Sequence, residues 1–376
     1  MLKPRLRRHK WLWIVGTLAV LLIAVRVALP PIVKAIINDR LMALEHYDGH
    51  VFDVDLALWR GAYRLVGVRI VTTGADQPTP LLDGDQIDLS IEWKSLFRGS
   101  LVAESVFTRP RVNLIRADDE RRSQLGRGQD WRAALESTFP FRFNTVKVVD
   151  GIVTFRAPGI RAKDALEASR INGVISNITN VVESDRETYT FFQGQAAVLK
   201  TGSARLNGTI DPFAGRPAFD LNLTVKNVRL PEVNPWLRQY IKADAEDGEF
   251  ELYTELAAKD GRFTGYAKPI MRDVNIYSSK EEEDNPLRRL WEGIVDFAAE
   301  IVEDEGSDQI AARVPFSGTV QNPDAGMFET IVSVLKNAFV SAFARSLEDS
   351  ISLRDVEKKL GKIGKDEKKK KAKDRE

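Results

Sequence analysis

Residues 11–33, WLWIVGTLAVLLIAVRVALPPIV, constrain this chain more than any other stretch. As a helix these 23 residues reach about 34 Å, at roughly 1.5 Å per residue. That is enough to cross the apolar layer of a bilayer, roughly 30 Å thick, with some tilt. Arg26 is the single charge in the run, close enough to its end for the guanidinium to snorkel. Trp11 and Trp13 stand where an interfacial aromatic belt belongs. Lys3, Arg5, Arg7, Arg8 and Lys10 precede the run, whereas only Lys34 and Arg40 follow closely. The excess of positive charge before the run predicts a cytoplasmic N-terminus, with the rest of the chain across the membrane. A secretory signal peptide shares the basic start and apolar run. Here, however, Arg26, Pro30 and Pro31 occupy the place of a small-residue cleavage site, so the reading is an uncleaved anchor.

Behind the anchor, Ile36, Ile37, Leu41 and Leu44 recur at helical spacing, which predicts a juxtamembrane helix over 34–46. The period then changes to two. Val54, Leu56 and Leu58 alternate with polar or small residues. So do Ile87, Leu89, Ile91 and Trp93, and again Phe219, Leu221, Leu223 and Val225. Such alternation marks strands with one buried and one wet face. Further runs fall at 63–71, 101–107, 111–116, 144–155, 171–181, 188–200, 204–210, 249–258, 262–268, 271–277 and 310–320. Asp83-Gly84, Asp150-Gly151, Asp247-Gly248 and Asp260-Gly261 read as turns between them. The expected architecture is a long antiparallel sheet. Residues 117–136 read as a polar excursion and Pro235 to Ile241 as a short helix. Two amphipathic helices are expected near the C-terminus, at 286–304 within the sheet domain (47–325) and at 326–352. Residues 353–376 form a tail too charged to fold, with nine lysines between Lys358 and Lys373.

Charge is distributed unevenly. Residues 1–10, the basic leader, and 354–376 together hold 16 of the 55 Lys/Arg and 6 of the 54 Asp/Glu, so residues 11–353 carry a net −9. A mildly acidic body argues against nucleic acid as a partner. The chain has no cysteine, which excludes thiol catalysis and disulfides. No phosphate-binding loop, dinucleotide glycine pattern, nucleophile elbow or zinc-protease motif occurs. His46 and His50 straddle a turn and make a poor metal pair, while the acidic residues between apolar ones read as a solvated sheet face. The expectation is therefore a chain with no catalytic residues, metal or cofactor. What needs explaining is the apolar face of so many strands. Leaving it in water forfeits roughly 1.5–3 kcal/mol per large side chain, so a second sheet, the amphipathic helices or lipid must cover it.

Several motifs occur in a telling order. Tyr47-x-Gly49 leads to Val54-Asp55-Leu56-x-Leu58-Trp59-Arg60-Gly61-Ala62-Tyr63. Ile87-Asp88-Leu89-Ser90-Ile91-Glu92-Trp93 follows, then Arg109-Pro110, Val149-Asp150-Gly151 and Asp211-Pro212. Phe219-Asp220-Leu221, Leu230-Pro231-x-Val233-Asn234 and Asp260-Gly261-Arg262-Phe263-Thr264-Gly265-Tyr266-Ala267-Lys268-Pro269 close the series. The series resembles a domain-of-unknown-function family attached to the AsmA-like superfamily of bacterial envelope proteins. The resemblance implies an inner-membrane anchor and a periplasmic sheet curled lengthwise into an apolar groove. Several members of the superfamily are linked to phospholipid movement, although this chain is much shorter than the large ones. Phospholipid is then the expected partner. The expected groove lining is Ile87, Leu89, Ile91, Trp93, Phe219, Leu221, Leu223, Val225, Phe250 and Leu252. An ordinary closed core is the competing account of the same residues. The alternative function is an envelope scaffold that binds other envelope proteins through its sheet edges.

Overall fold

The computed structural model describes residues 5–44, 46–57, 61–73, 79–119, 123–125, 141–180, 189–213, 218–240, 243–278, 309–311 and 314–319. The expected helices at 286–304 and 326–352, most of the 117–136 excursion and the 353–376 tail lie outside the described residues. The chain forms two compact units: residues 1–197 with 207–214, and 198–206 with 215–376. Strand order follows chain order.

In the first unit, helix α1 (Arg5–Met42) is followed by β1 (Tyr47–Ala57), β2 (Ala62–Thr72), β3 (Leu82–Ile91), a four-residue helix α2 (Trp93–Leu96), β4 (Leu101–Ile115), β5 (Phe141–Arg156), β6 (Leu166–Thr179) and β7 (Thr190–Val198). The expected anchor and juxtamembrane helix are one continuous helix with Pro30 and Pro31 inside it. Residues 11–28 are exposed throughout. The later part lies along β1 and packs Val33, Ile37 and Leu41 on Val51, Val54, Val68 and Ile87. Three contacts fix its direction: Asn38 bonds Val51, Lys34 sits 5.8 Å over the Phe52 ring, and Arg26 donates to the Leu56 carbonyl at 2.8 Å.

The sheet departs from the expected all-antiparallel pattern between β4 and β5. β4 and β5 are parallel, with Leu101 opposite Phe141 and Ile115 opposite Arg156. A parallel neighbour needs a connection that travels back along the strand, and of that connection residues 116–119 and 123–125 are described. Its anchoring point is Gln124, fully buried, which bridges to Ile115 and donates from its side chain to the Asn113 carbonyl at 2.8 Å.

Only one of the four Asp-Gly pairs makes a turn. Asp260-Gly261, with φ of 51° and 75°, closes a two-residue hairpin between Lys259 and Arg262. Asp83-Gly84, Asp150-Gly151 and Asp247-Gly248 lie inside strands. Asp150 is left-handed there (φ 55°) at a register break between β5 and β6. Asp and Gly tolerate that conformation equally well in a turn and in a bulge, so the pair alone does not distinguish them.

Asp150 belongs to a crease. Gly67 (φ 65°) in β2, Arg109 (φ 47°) in β4, Asp150 in β5 and Arg170 (φ 50°) in β6 are all left-handed within strands. The registers place Asp85 between Gly67 and Arg109, whose guanidinium pairs with the Asp85 carboxylate. Asp150 N–H donates to the Asn172 side chain at 3.3 Å. Along this line the alternation of side chains changes phase. Val51 and Val54, an odd number of residues apart, enter the same core. The runs at 101–107 and 111–116 are therefore one strand, β4, with its break at Arg109.

The second unit holds the first half of β8 (Gly202–Asp211), β9 (Ala218–Arg229), a 3-10 turn (Leu230–Val233), α3 (Asn234–Tyr240), β10 (Ala243–Lys259), β11 (Arg262–Ser278), β12 (Gln309–Ala311) and β13 (Val314–Thr319). The runs at 262–268 and 271–277 are likewise one strand. β12 and β13 both pair with β11. The phase change recurs: left-handed Asn227 (φ 57°) sits at a β9–β10 bulge, so Val225 and Val228 join one cluster. The 230–240 segment covers that cluster, placing Leu230 and Leu237 over Phe250, Leu252 and Met271.

Candidate functional site

The groove-lining residues divide by unit. In β3, Ile87 lies opposite Leu65 and Phe107, and Leu89 opposite Tyr63 and Ser105. Both pack in the cluster that α1 covers. Burial pushes the Tyr63 phenol above its ordinary pKa, as expected beside this cluster. Ile91 sits at the margin of a second cluster of Leu101, Ala103 and Phe141. Phe141 there makes edge contacts with Phe143 at 5.7 Å and Phe213 at 5.9 Å.

Trp93 is not a strand residue, which corrects the alternation drawn through it. The strand ends at Ile91, and Trp93 opens α2 with 37% of its surface exposed. The Ser95 hydroxyl donates to the Glu92 carboxylate at 2.7 Å, and Phe97 N–H to the Trp93 carbonyl at 3.0 Å. These short-range bonds turn the chain out of the sheet.

In the second unit the six expected residues do share one face. Phe219 is opposite Ala258, Leu221 opposite Leu256, Leu223 opposite Thr254 and Val225 opposite Leu252, with Phe250 opposite Val228. β11 continues these rows with Phe263, Gly265, Ala267, Pro269 and Met271. Phe250, Leu252 and Val225 lie under the 230–240 segment. Phe219, Leu221 and Leu256 are buried, and Leu223 is half-buried. Among the described residues, the Thr254 hydroxyl is buried in this face with no hydrogen-bond partner.

The opposite face of β10 is polar, and sequence reasoning missed its centre. Glu251, 5% exposed, accepts from Arg272 at 2.7 Å and from the Tyr253 hydroxyl at 2.9 Å. Lys226 lies 5.4 Å over the Tyr253 ring. Burial pushes the Glu251 carboxyl up, but the bonds from Arg272 and Tyr253 and the charges of Arg272 and Lys226 outweigh it. Its pKa is lowered on balance. A carboxylate held ionised in this way suits a structural ion pair better than proton transfer.

Among the described residues, α1 is the one helix long and apolar enough to cross a membrane. Compared with known proteins, the chain matches no family model and no curated protein.

Proposed function

We propose that the chain is a membrane-anchored protein of the bacterial envelope whose sheet takes up acyl chains of phospholipid on its apolar face. The observation that carries this reading is the exposure of α1 over residues 11–28. Eighteen residues cover about 27 Å, close to the apolar thickness of a bilayer. The positive cluster before the exposed apolar run orients the N-terminus towards the cytoplasm and the sheet towards the periplasm. The reading places the chain beside the AsmA-like proteins that its motifs resemble. The acyl-chain surface is narrower than the ten residues named from sequence. Ile87 and Leu89 already have α1 as their cover, and Phe250 and Leu252 have the 230–240 segment. Leu223, half-buried on the same face, is the better candidate for lipid contact, since Phe219 and Leu221 are already buried.

The test is lipid extraction from the full chain purified in mild detergent and exchanged extensively against it. Phospholipid retained by the native sequence and lost on Leu223→Asp supports the proposal. An extract free of phospholipid, from protein that remains folded, sinks it.

A further inference from the structure

The position of α2 in the first unit gives it a task of its own. Arg26 bonds to the Leu56 carbonyl, so the exposed part of α1 leaves the sheet at the C-terminal end of β1. In register, that end is also the start of β2, since Ala57 is opposite Ala62. It is the end of β3 as well, since Ala62 is opposite Ser90. The segment 92–100 projects from this same end. Trp93 closes against the turn between β1 and β2: a Cβ on left-handed Gly61 would stand 3.0 Å from the indole nitrogen. Phe97 stacks on Trp93 with ring centroids 6.1 Å apart, yet is 85% exposed. Lys94 and Arg98, both exposed, flank the two rings.

We infer that Trp93 and Phe97, with Lys94 and Arg98, form an interfacial foot that seats the first unit on the anionic headgroup layer of the membrane crossed by α1. The inference rests on the reading of α1 as a membrane anchor. The occupant is lipid because the apolar helix and the aromatic pair issue from one end of the sheet. Aromatic rings at headgroup depth beside cations are the composition that this layer favours. α1 is one helix from its exposed part to Asn38, with Pro30 and Pro31 inside it, and both Arg26 and Asn38 bond to β1, so the sheet begins where the exposed run ends. Trp93 thus becomes a membrane contact rather than a groove residue.

The absence of cysteine makes the test direct. Single cysteines replace Leu18 in α1, Arg98 in the foot and Lys163 in the turn between β5 and β6. That turn lies at the opposite end of the sheet, because β5 runs parallel to β4. Each full chain is labelled with an environment-sensitive fluorophore and reconstituted in phosphatidylcholine–phosphatidylglycerol vesicles. Probes at 18 and 98 should shift to the blue and be quenched by spin-labelled phospholipid, and the probe at 163 should do neither. Phe97→Ser in the Arg98→Cys chain should return that probe towards its emission in water. If the probe at 98 behaves like the one at 163 while the one at 18 is quenched, the foot is wrong and the anchor stands. A water-exposed probe at 18 would remove the anchor and the foot together.

Discussion

Asn38 clasps Val51 at both of its backbone polar groups. The Val51 N–H donates to the Asn38 Oδ1 at 2.7 Å, and the Asn38 Nδ2 donates to the Val51 carbonyl at 3.4 Å. β1 begins the strand order, so these groups face away from β2 and need a partner from elsewhere. Asn234 does the same for Ala245 in the second unit, accepting its N–H at 2.8 Å and donating to its carbonyl at 2.9 Å. In both units an asparagine on the covering helix serves one buried residue of the strand.

Asn38→Ala leaves the Val51 amide without its acceptor in a buried setting, at a cost of about 1–3 kcal/mol. Chemical denaturation reads the loss, and hydrogen exchange at Val51 should accelerate beyond that at Val68. Asn234→Ala should do the same at Ala245. Unchanged exchange at both amides would mean that the clasps are ornamental.

Gly67→Ala should destabilise the first unit by about 2 kcal/mol, through the left-handed backbone and through crowding. A Cβ at Gly67 meets the Phe52 Cβ at 2.9 Å. Shortening the opposing side chain, in Phe52→Gly with Gly67→Ala, relieves the contact but not the backbone strain. The double variant should therefore recover only part of the loss in denaturation midpoint.

Leu221→Asp puts a carboxylate among apolar neighbours opposite Leu256, which is 1% exposed. The cost should exceed about 3 kcal/mol, enough to unfold the second unit at moderate temperature. Asp88→Asn on β3 is the contrast. Asp88 accepts from Arg64 at 2.7 Å and from Gln86, but the Arg64 side chain is 48% exposed and water substitutes for the pair. Its melting temperature should barely move.

Glu251 gives the second unit an acid-sensitive component. Its folded pKa lies below the unfolded one, so its ionised form stabilises the fold above the unfolded value. That contribution disappears as pH falls through the depressed folded value. Glu251→Gln should be less stable than the parent at neutral pH, and the two stability curves should converge in acid. Curves that stay parallel would assign the stability to packing instead of charge.

The strands were legible because alternation is a local property of the chain. The shared face of Phe219, Leu221, Leu223 and Val225 could be read from their spacing alone. Which strand lies beside which is not local, and nothing in the pattern of β4 and β5 distinguishes a parallel neighbour from an antiparallel one. The crease was hidden for a related reason. Arg109 and Arg170 carry no side-chain signal for a left-handed backbone, and Asp150-Gly151 carries the signal of a turn. Trp93 misled because alternation continued two residues beyond the strand, although Ser95 and left-handed Gly99 nearby mark a chain leaving the sheet. Asn38 and Asn234 looked like ordinary polar residues because their value lies in the distant backbone that they meet.

The crease also bears on how this sheet avoids pairing wrongly. Straight strands slide past one another with only their side chains to object, and long sheets are prone to such misalignment. Here the left-handed residues of β2, β4, β5 and β6 fall along one line across the first unit, as the teeth of a key meet the pins of a lock. A slide of one residue between β1 and β2 would set Val51 or Asp53 against Gly67 and leave Phe52 facing straight backbone. Ladder bonds on both sides of the misfit would then open together. A second chain adding to the sheet would need the same bend at the same height, which most extended segments lack. The left-handed residues that look like defects in single strands thus act jointly as a barrier to misassembly and to fibre-like stacking.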